Sequence, residues 1–191
     1  MNYIKFKRVI DIQMAFLISF LIWPLIFLIV FLLLCQSGFP IIHWSKRIGK
    51  RNNIFYMPKF RTMKVDTPQI ATHLIKNPEQ YTTKFGKFLR KTSLDELPQI
   101  FSIMQGKMSF IGPRPALYNQ YDLIKLRTEK QIDKLVPGIT GWAQINGRDK
   151  LSIKTKVKFD EYYLNNISLY LDLKILIKSL RVFYKDNKIS H

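Results

Sequence analysis

The sequence predicts a mostly helical α+β chain. A membrane-inserted, re-entrant helix-hairpin occupies residues 1–38, and a small globular domain with amphipathic interfacial helices occupies residues 39–191. Three observations carry this reading. Residues 12–35 read IQMAFLISFLIWPLIFLIVFLLLC, without a single charge. The composition turns polar after Gly38-Phe39-Pro40. Beyond that point, short β-type runs give way to apolar residues at helical spacing.

About 20 apolar residues cross the hydrocarbon core of a bilayer, so the first segment is long enough. It is too long for a cleaved signal peptide, and no small-residue cleavage site follows. Two features favour a helix that enters and leaves by the same face over one that spans. Basic residues flank both ends, with Lys5, Lys7 and Arg8 before and Lys46, Arg47, Lys50 and Arg51 after. A spanning helix carries its Lys/Arg excess on the cytoplasmic side. Pro24 sits at the middle, where it removes a backbone hydrogen bond and clashes with the carbonyl of Phe20, so Pro24 is read as the membrane kink. Both ends are then expected to face the cytoplasm.

The chain carries 31 Lys+Arg against 13 Asp+Glu, a net charge of +18. Such an excess implies an anionic partner: nucleic acid, a phospholipid surface or a phosphate-bearing substrate. No nucleic-acid-binding motif is visible. The lone Cys35 excludes an internal disulfide and Cys-cluster zinc sites. With His43, His73 and His191 scattered, any metal would be a hard, oxygen-liganded ion such as Mg²⁺.

Ile41–Trp44 and Ile54–Met57 read as short strands around the basic turn KRIGKRNN. PKFRTMK, 58–64, clusters Lys59, Arg61 and Lys64, either as a solvated group or as a phosphate contact. Residues 66–83 are polar, contain two prolines and read as a loop.

Leu97, Ile100, Phe101 and Met104 recur at helical spacing. Ser93 and Glu96 match a capping box, in which Asp95 and Glu96 serve only the helix terminus. Alternatively the helix begins at Pro98, with both acids at its mouth. In either case the dipole is expected to keep Asp95 ionised. An adjacent acid pair also suits a nucleophile or a metal ligand. Arg114 follows between Pro113 and Pro115, which stiffen its backbone and suit it to phosphate. It could equally be an exposed arginine in a turn.

PGITGWAQINGR, 137–148, surrounds Trp142 with glycines that permit close approach to a ligand and ends at Arg148. Its indole could stack on a base or sugar, or pack in a core. Near the C-terminus, Lys174, Lys178, Arg181 and Lys185 form one helical stripe, with Leu173, Leu176, Ile177, Leu180 and Tyr184 on other faces. Such a helix either docks on anionic headgroups or packs on the domain.

Taken together, the basic-flanked hairpin, KFRTM, SLDELPQIF, MSFIGPRP, PGITGWAQINGR and DEYYLNNISLYLDLKIL resemble the bacterial sugar transferase family. Its members are monotopic phosphoglycosyl transferases that initiate surface-glycan assembly. The resemblance runs from about Phe6 to Tyr184, and the chain looks like the minimal catalytic unit. It implies transfer of a phosphosugar from a UDP-sugar to polyprenyl (undecaprenyl) phosphate, with Mg²⁺ and release of UMP. It implies Asp95 as nucleophile and Glu96 as metal ligand or proton-handling partner, with the pair holding the metal. Arg114, Lys59, Arg90 and Arg148 match its phosphate-binding residues. The implied location is the bacterial inner membrane, catalytic domain on the cytoplasmic face, against anionic lipids. One departure is Trp23 before the kink proline, where the family commonly has serine. Ser19, one turn earlier, is the candidate for satisfying the freed carbonyl. Two competing readings are a membrane-tethered glycosyltransferase that releases UDP and a non-enzymatic basic membrane protein. The first calls for a DxD-type metal site, which the sequence lacks; the second gives no role to Asp95, Glu96 or Arg114.

Overall fold

The computed structural model describes residues 3–64, 67, 78–147 and 150–189, the last nine by their backbone alone. It is a mostly helical α+β structure with two small sheets. The apolar run lies within one α-helix, α1 (Tyr3–Ser37), with Pro24 inside it. Among the described residues α1 is the one helix long and apolar enough to cross a bilayer.

One stripe of α1 packs on the domain along its length. Ala15 joins Phe55, Met57, Ile100, Ile103 and Met108. Ile29 and Leu33 join Phe60 and Leu89. Ile29 and Leu33, fully buried, each contribute about 1.5–3 kcal/mol. The opposite face stays apolar and exposed, with Phe20 at 74% and Phe27 at 68%. Ser19 Oγ donates to the carbonyl of Ala15 (2.7 Å), not to that of Phe20. Serine's short reach favours the carbonyl four residues back on its own helix.

Polar ties fix both ends of α1. Arg8 donates to the carbonyls of Ile103 (2.6 Å) and Met104 (3.1 Å). Asp11, buried in α1, accepts from Ser109 Oγ (2.7 Å) and Phe110 N (3.3 Å). At the other end Arg61 Nη2 donates to the carbonyls of Ser37 and Gly38, at 2.7 and 2.9 Å. These are carbonyls that a helix terminus leaves without intrahelical partners.

An antiparallel hairpin follows, β1 (Ile42–Ile48) and β2 (Ile54–Phe60). Both strands run longer than Ile41–Trp44 and Ile54–Met57: Lys46, Arg47 and Ile48 pair with Tyr56, Phe55 and Ile54, and Pro58, Lys59 and Phe60 pair with Trp44, His43 and Ile42. The basic turn is therefore shorter than KRIGKRNN, and Arg51 and Asn52 carry its left-handed backbone. Within the expected loop 66–83, α2 (Pro78–Tyr81) is helical, while 66 and 68–77 lie outside the described residues.

Next come α3 (Lys84–Lys91), a single 3₁₀ turn (Leu94–Glu96) and α4 (Gln99–Met104). Strand β3 (Ser109–Ile111) pairs in parallel with β4 (Gly138–Thr140), with α5 (Tyr121–Glu129) between them. The chain closes with α6 (Trp142–Ile145), α7 (Ile153–Asn165) and α8 (Leu169–Ile189).

Gly112, Gly138 and Gly141 let the two parallel strands meet. A Cβ on Gly112 would press on the carbonyl of Val136, and one on Gly138 or Gly141 would strike the backbone of Gly112. Two of the three glycines of the 137–148 stretch thus serve backbone-to-backbone contact, not close approach to a ligand. Trp142 is half-buried and stacks on Tyr162, ring centroids 5.3 Å apart. The basic stripe of α8 is turned toward it: Lys174 Nζ and Lys178 Nζ lie 5.7 and 5.5 Å from the indole. α8 also exposes Leu173, Leu176, Ile177 and Leu180, with Lys174 exposed beside them. The side chains of Arg181, Tyr184 and Lys185 lie outside the described residues.

Candidate active site

The acid pair lies between two helices, not within the first turn of one. Ser93 takes a left-handed backbone (φ 56°) and makes no side-chain cap, so the capping box does not form. Pro98, which cannot donate a helical hydrogen bond, separates the 3₁₀ turn from α4. This is the arrangement with both acids at the mouth of the helix.

The two carboxylates have different surroundings. Glu96 Oε1 accepts from Lys59 Nζ at 2.6 Å and lies 3.3 Å from Arg114 Nη2. Asp95 Oδ2 is 3.8 Å from the same ammonium. Burial raises the Glu96 pKa, but Arg114 and Lys59 outweigh it and hold the carboxyl at about 2. For Asp95, burial wins. It pushes the carboxyl up, with help from the Glu96 charge, against Lys59 and Arg90. Burial of Asp95 thus opposes the ionisation that a helix N-terminus would favour.

Strand pairing explains how Lys59 arrives. On β2, Phe55, Met57 and Lys59 share one face, and the first two are buried against α4. Lys59 continues that face to the acids. His43 pairs with Lys59 across the hairpin, and burial together with Lys59, Arg47 and Arg90 lowers its pKa. These neighbours disfavour its charged form. Arg90, in the last turn of α3, donates from Nε to Thr62 Oγ1 at 2.8 Å and is close enough to act on Asp95. Arg148 lies outside the described residues.

Arg114 stands on a backbone whose carbonyls are each engaged. Pro113 O accepts from Gly138 N (2.9 Å), Arg114 O from Arg127 Nη1 (2.8 Å) and Pro115 O from Arg47 Nη1 (3.2 Å). Arg127 is itself clamped by Asp160 Oδ2, which accepts from Nη2 at 2.6 Å and Nε at 3.0 Å. Asp160 is 1% exposed. Sequence reading missed Arg47, Arg127 and Asp160. The separation of 33 positions between the last two leaves no local pattern to find them by.

The described residues contain no group of three or more His, Cys, Asp or Glu side chains able to hold a metal by itself. Mg²⁺ is usually bound by one or two carboxylates together with substrate phosphates. The donor set of Asp95 and Glu96 fits an ion shared with a phosphate substrate, and does not fit an all-protein cage.

The family model for bacterial sugar transferases matches residues 2–186. The chain belongs to the bacterial sugar transferase family. It is 38% identical to the uncharacterised sugar transferase EpsL of Bacillus subtilis, covering 92% of this chain and 85% of that one. An uncharacterised sugar transferase of Haemophilus influenzae is 34% identical over 92% of this chain and 40% of its own length. A UDP-glucose:undecaprenyl-phosphate glucose-1-phosphate transferase of Xanthomonas campestris is 35% identical over 92% of this chain and 38% of its own. This sugar transferase thus spans most of the first relative and about two fifths of the others.

Proposed function

We propose that this chain is a polyprenyl-phosphate sugar-1-phosphate transferase, taking the phosphosugar from a UDP-sugar and releasing UMP. Relatives named for undecaprenyl-phosphate sugar-phosphate transfer support the reaction class. The observation that carries the reading is the division of labour in the acid pair. Glu96 takes the short ion pair with Lys59 and the contact with Arg114, while Asp95 is left with a longer one.

In the first step an Asp95 oxygen attacks the sugar-bearing phosphorus. A P–O bond forms, the pyrophosphate P–O bond breaks, and UMP leaves with the electron pair. The resulting acyl phosphate holds the phosphosugar on Asp95 and splits one hard displacement into two. In the second step a phosphate oxygen of the polyprenyl acceptor attacks the same phosphorus and frees the carboxylate. Lys59, Arg90 and Arg114 offset the charge that would otherwise repel a carboxylate from pyrophosphate. Mg²⁺ held by Asp95 and Glu96 would add to that neutralisation when bound. Arg47, Arg127 and Asp160 fix the backbone that carries Arg114.

Product analysis tests the reaction. Incubation with a panel of UDP-sugars and a polyprenyl phosphate in detergent is expected to yield UMP. Release of UDP would instead support a glycosyltransferase that moves the sugar alone.

The reading includes a re-entrant α1 in the bacterial inner membrane, with the domain on the cytoplasmic face. The equal basic flanking of the apolar run and Pro24 at its midpoint support this reading. Single cysteines at Asn2 and at exposed Lys50, in a Cys35→Ser background, report the topology. An impermeant thiol reagent is expected to label neither in intact spheroplasts and both after lysis. Labelling at position 2 alone in intact cells would mean that α1 spans.

A further inference from the structure

An apolar groove of about 570 Å³ opens between α1, the hairpin and α4. Ile26 and Val30 of α1 form one wall, Trp44 and Tyr56 of the hairpin another, and Pro98 and Phe101 a third. Its volume falls in the range of small-molecule sites, roughly 300–1,000 Å³. Its lining reaches along β2 from Ile54 to Phe60, about 20 Å of strand. We propose that this groove holds the proximal isoprenoid chain of the acceptor lipid. The proposal rests on the transferase reading above and adds where the acceptor's tail lies.

Three observations select this occupant. The lining is dominated by aliphatic and aromatic side chains, which would leave the hydroxyls and charges of a nucleotide sugar without partners. One wall belongs to the apolar helix, whose neighbouring face is exposed, so a molecule dissolved in the bilayer can enter sideways. The groove also reaches the neighbourhood of the acid pair. Ile26, Val30, Ile42 and Phe60 of its lining pack in one cluster with Leu94 and Leu97, the residues on either side of Asp95 and Glu96. An acceptor must bring a phosphate to Asp95 while its tail remains out of water. This groove provides the apolar path that leaves from that point.

Trp44, Tyr56 and Phe101 are exposed although large and apolar. Their positions at the opening fit a surface completed by lipid. The polar Gln105 and Lys107 also line it. Chain beyond the groove is expected to add little affinity, so binding should improve with acceptor length and then level off.

Val30→Trp fills the groove from α1 without touching the acid pair. With a long-chain polyprenyl phosphate the variant is expected to show a KM raised about tenfold, since it removes binding shared by ground and transition states. The KM for UDP-sugar should stay within about twofold of wild type. A photoreactive long-chain polyprenyl phosphate should crosslink wild type within residues 54–60 or 98–107. Unlabelled polyprenyl phosphate should protect those residues and phosphatidylglycerol should not. An equal rise in the KM for UDP-sugar, an unchanged long-chain KM, absent crosslinks, or protection by phosphatidylglycerol would each overturn the proposal. The last result would mean that bulk lipid fills the groove. Should wild type release no UMP from any UDP-sugar, the transferase reading fails by that result alone, while the crosslink still reports on the groove.

Discussion

Asp95→Asn is expected to abolish turnover, by at least about four orders of magnitude, together with any phosphosugar adduct on the protein. An amide cannot attack phosphorus. Because burial already raises the Asp95 pKa, the folded state favours its protonated form. That contribution to stability is present at low pH and is lost as pH rises through the elevated folded value. Asparagine removes the buried charge, so the melting temperature at neutral pH should not fall. Activity of wild type should decline as pH drops through the same raised value, since the nucleophile must be ionised. Mass spectrometry of the protein after incubation with UDP-sugar alone, alongside a thermal melt, checks both parts. Near-normal turnover by a folded Asp95→Asn protein would remove the nucleophile assignment.

Glu96→Gln is expected to impair both catalysis and acid-sensitive stability. With the wild-type carboxyl held at about 2 against an ordinary 4.5, its ionised form contributes about 3 kcal/mol to folding. That contribution is present above pH 4.5 and disappears as pH falls toward 2. The glutamine variant should therefore show a shallower loss of melting temperature across this window. Lys59 and Arg114 would lose their shared partner, and turnover should fall by about two to three orders of magnitude. An acid limb as steep as wild type would show that the Lys59–Glu96 pair does not set it.

Much of the site was legible in the chain because its chemistry is local. Asp95 and Glu96 are adjacent, and the prolines around Arg114 announce a stiff mounting. The helix after Pro98 follows from apolar spacing. What escaped depends on contacts made across the fold. Lys59 meets Glu96 because strand alternation turns it toward the acids, over 37 residues of chain. Arg127 supports Arg114 only through Asp160, on another helix. Ser93 carries the right residue type for a cap, yet its left-handed backbone points the chain elsewhere. The lysines of α8 marked a charged stripe, but Trp142 gathers two of them. Charge periodicity cannot foresee an indole arriving from another segment. The upward shift of Asp95 was not legible for a related reason: burial is a property of the assembled domain.

The polar ties along α1 bear on how this protein can be handled. Tyr3 Oη donates to Asp172 Oδ2 at 2.7 Å, Lys7 Nζ lies 2.8 Å from the same oxygen, and Tyr163 Oη reaches Oδ1 at 2.7 Å. Asp172 is 4% exposed. Removing the greasy segment to obtain a water-soluble fragment would strip Asp172 of its cation and one hydroxyl. It would also deprive Ser109 of Asp11 and uncover Leu89 and Phe60. A buried carboxylate left without its charge partner costs several kcal/mol, comparable to the whole stability of a small domain. Genetic truncation at residue 38 is therefore a poor route to a tractable sample. Detergent micelles or nanodiscs around the intact chain preserve what a shortened one would lose.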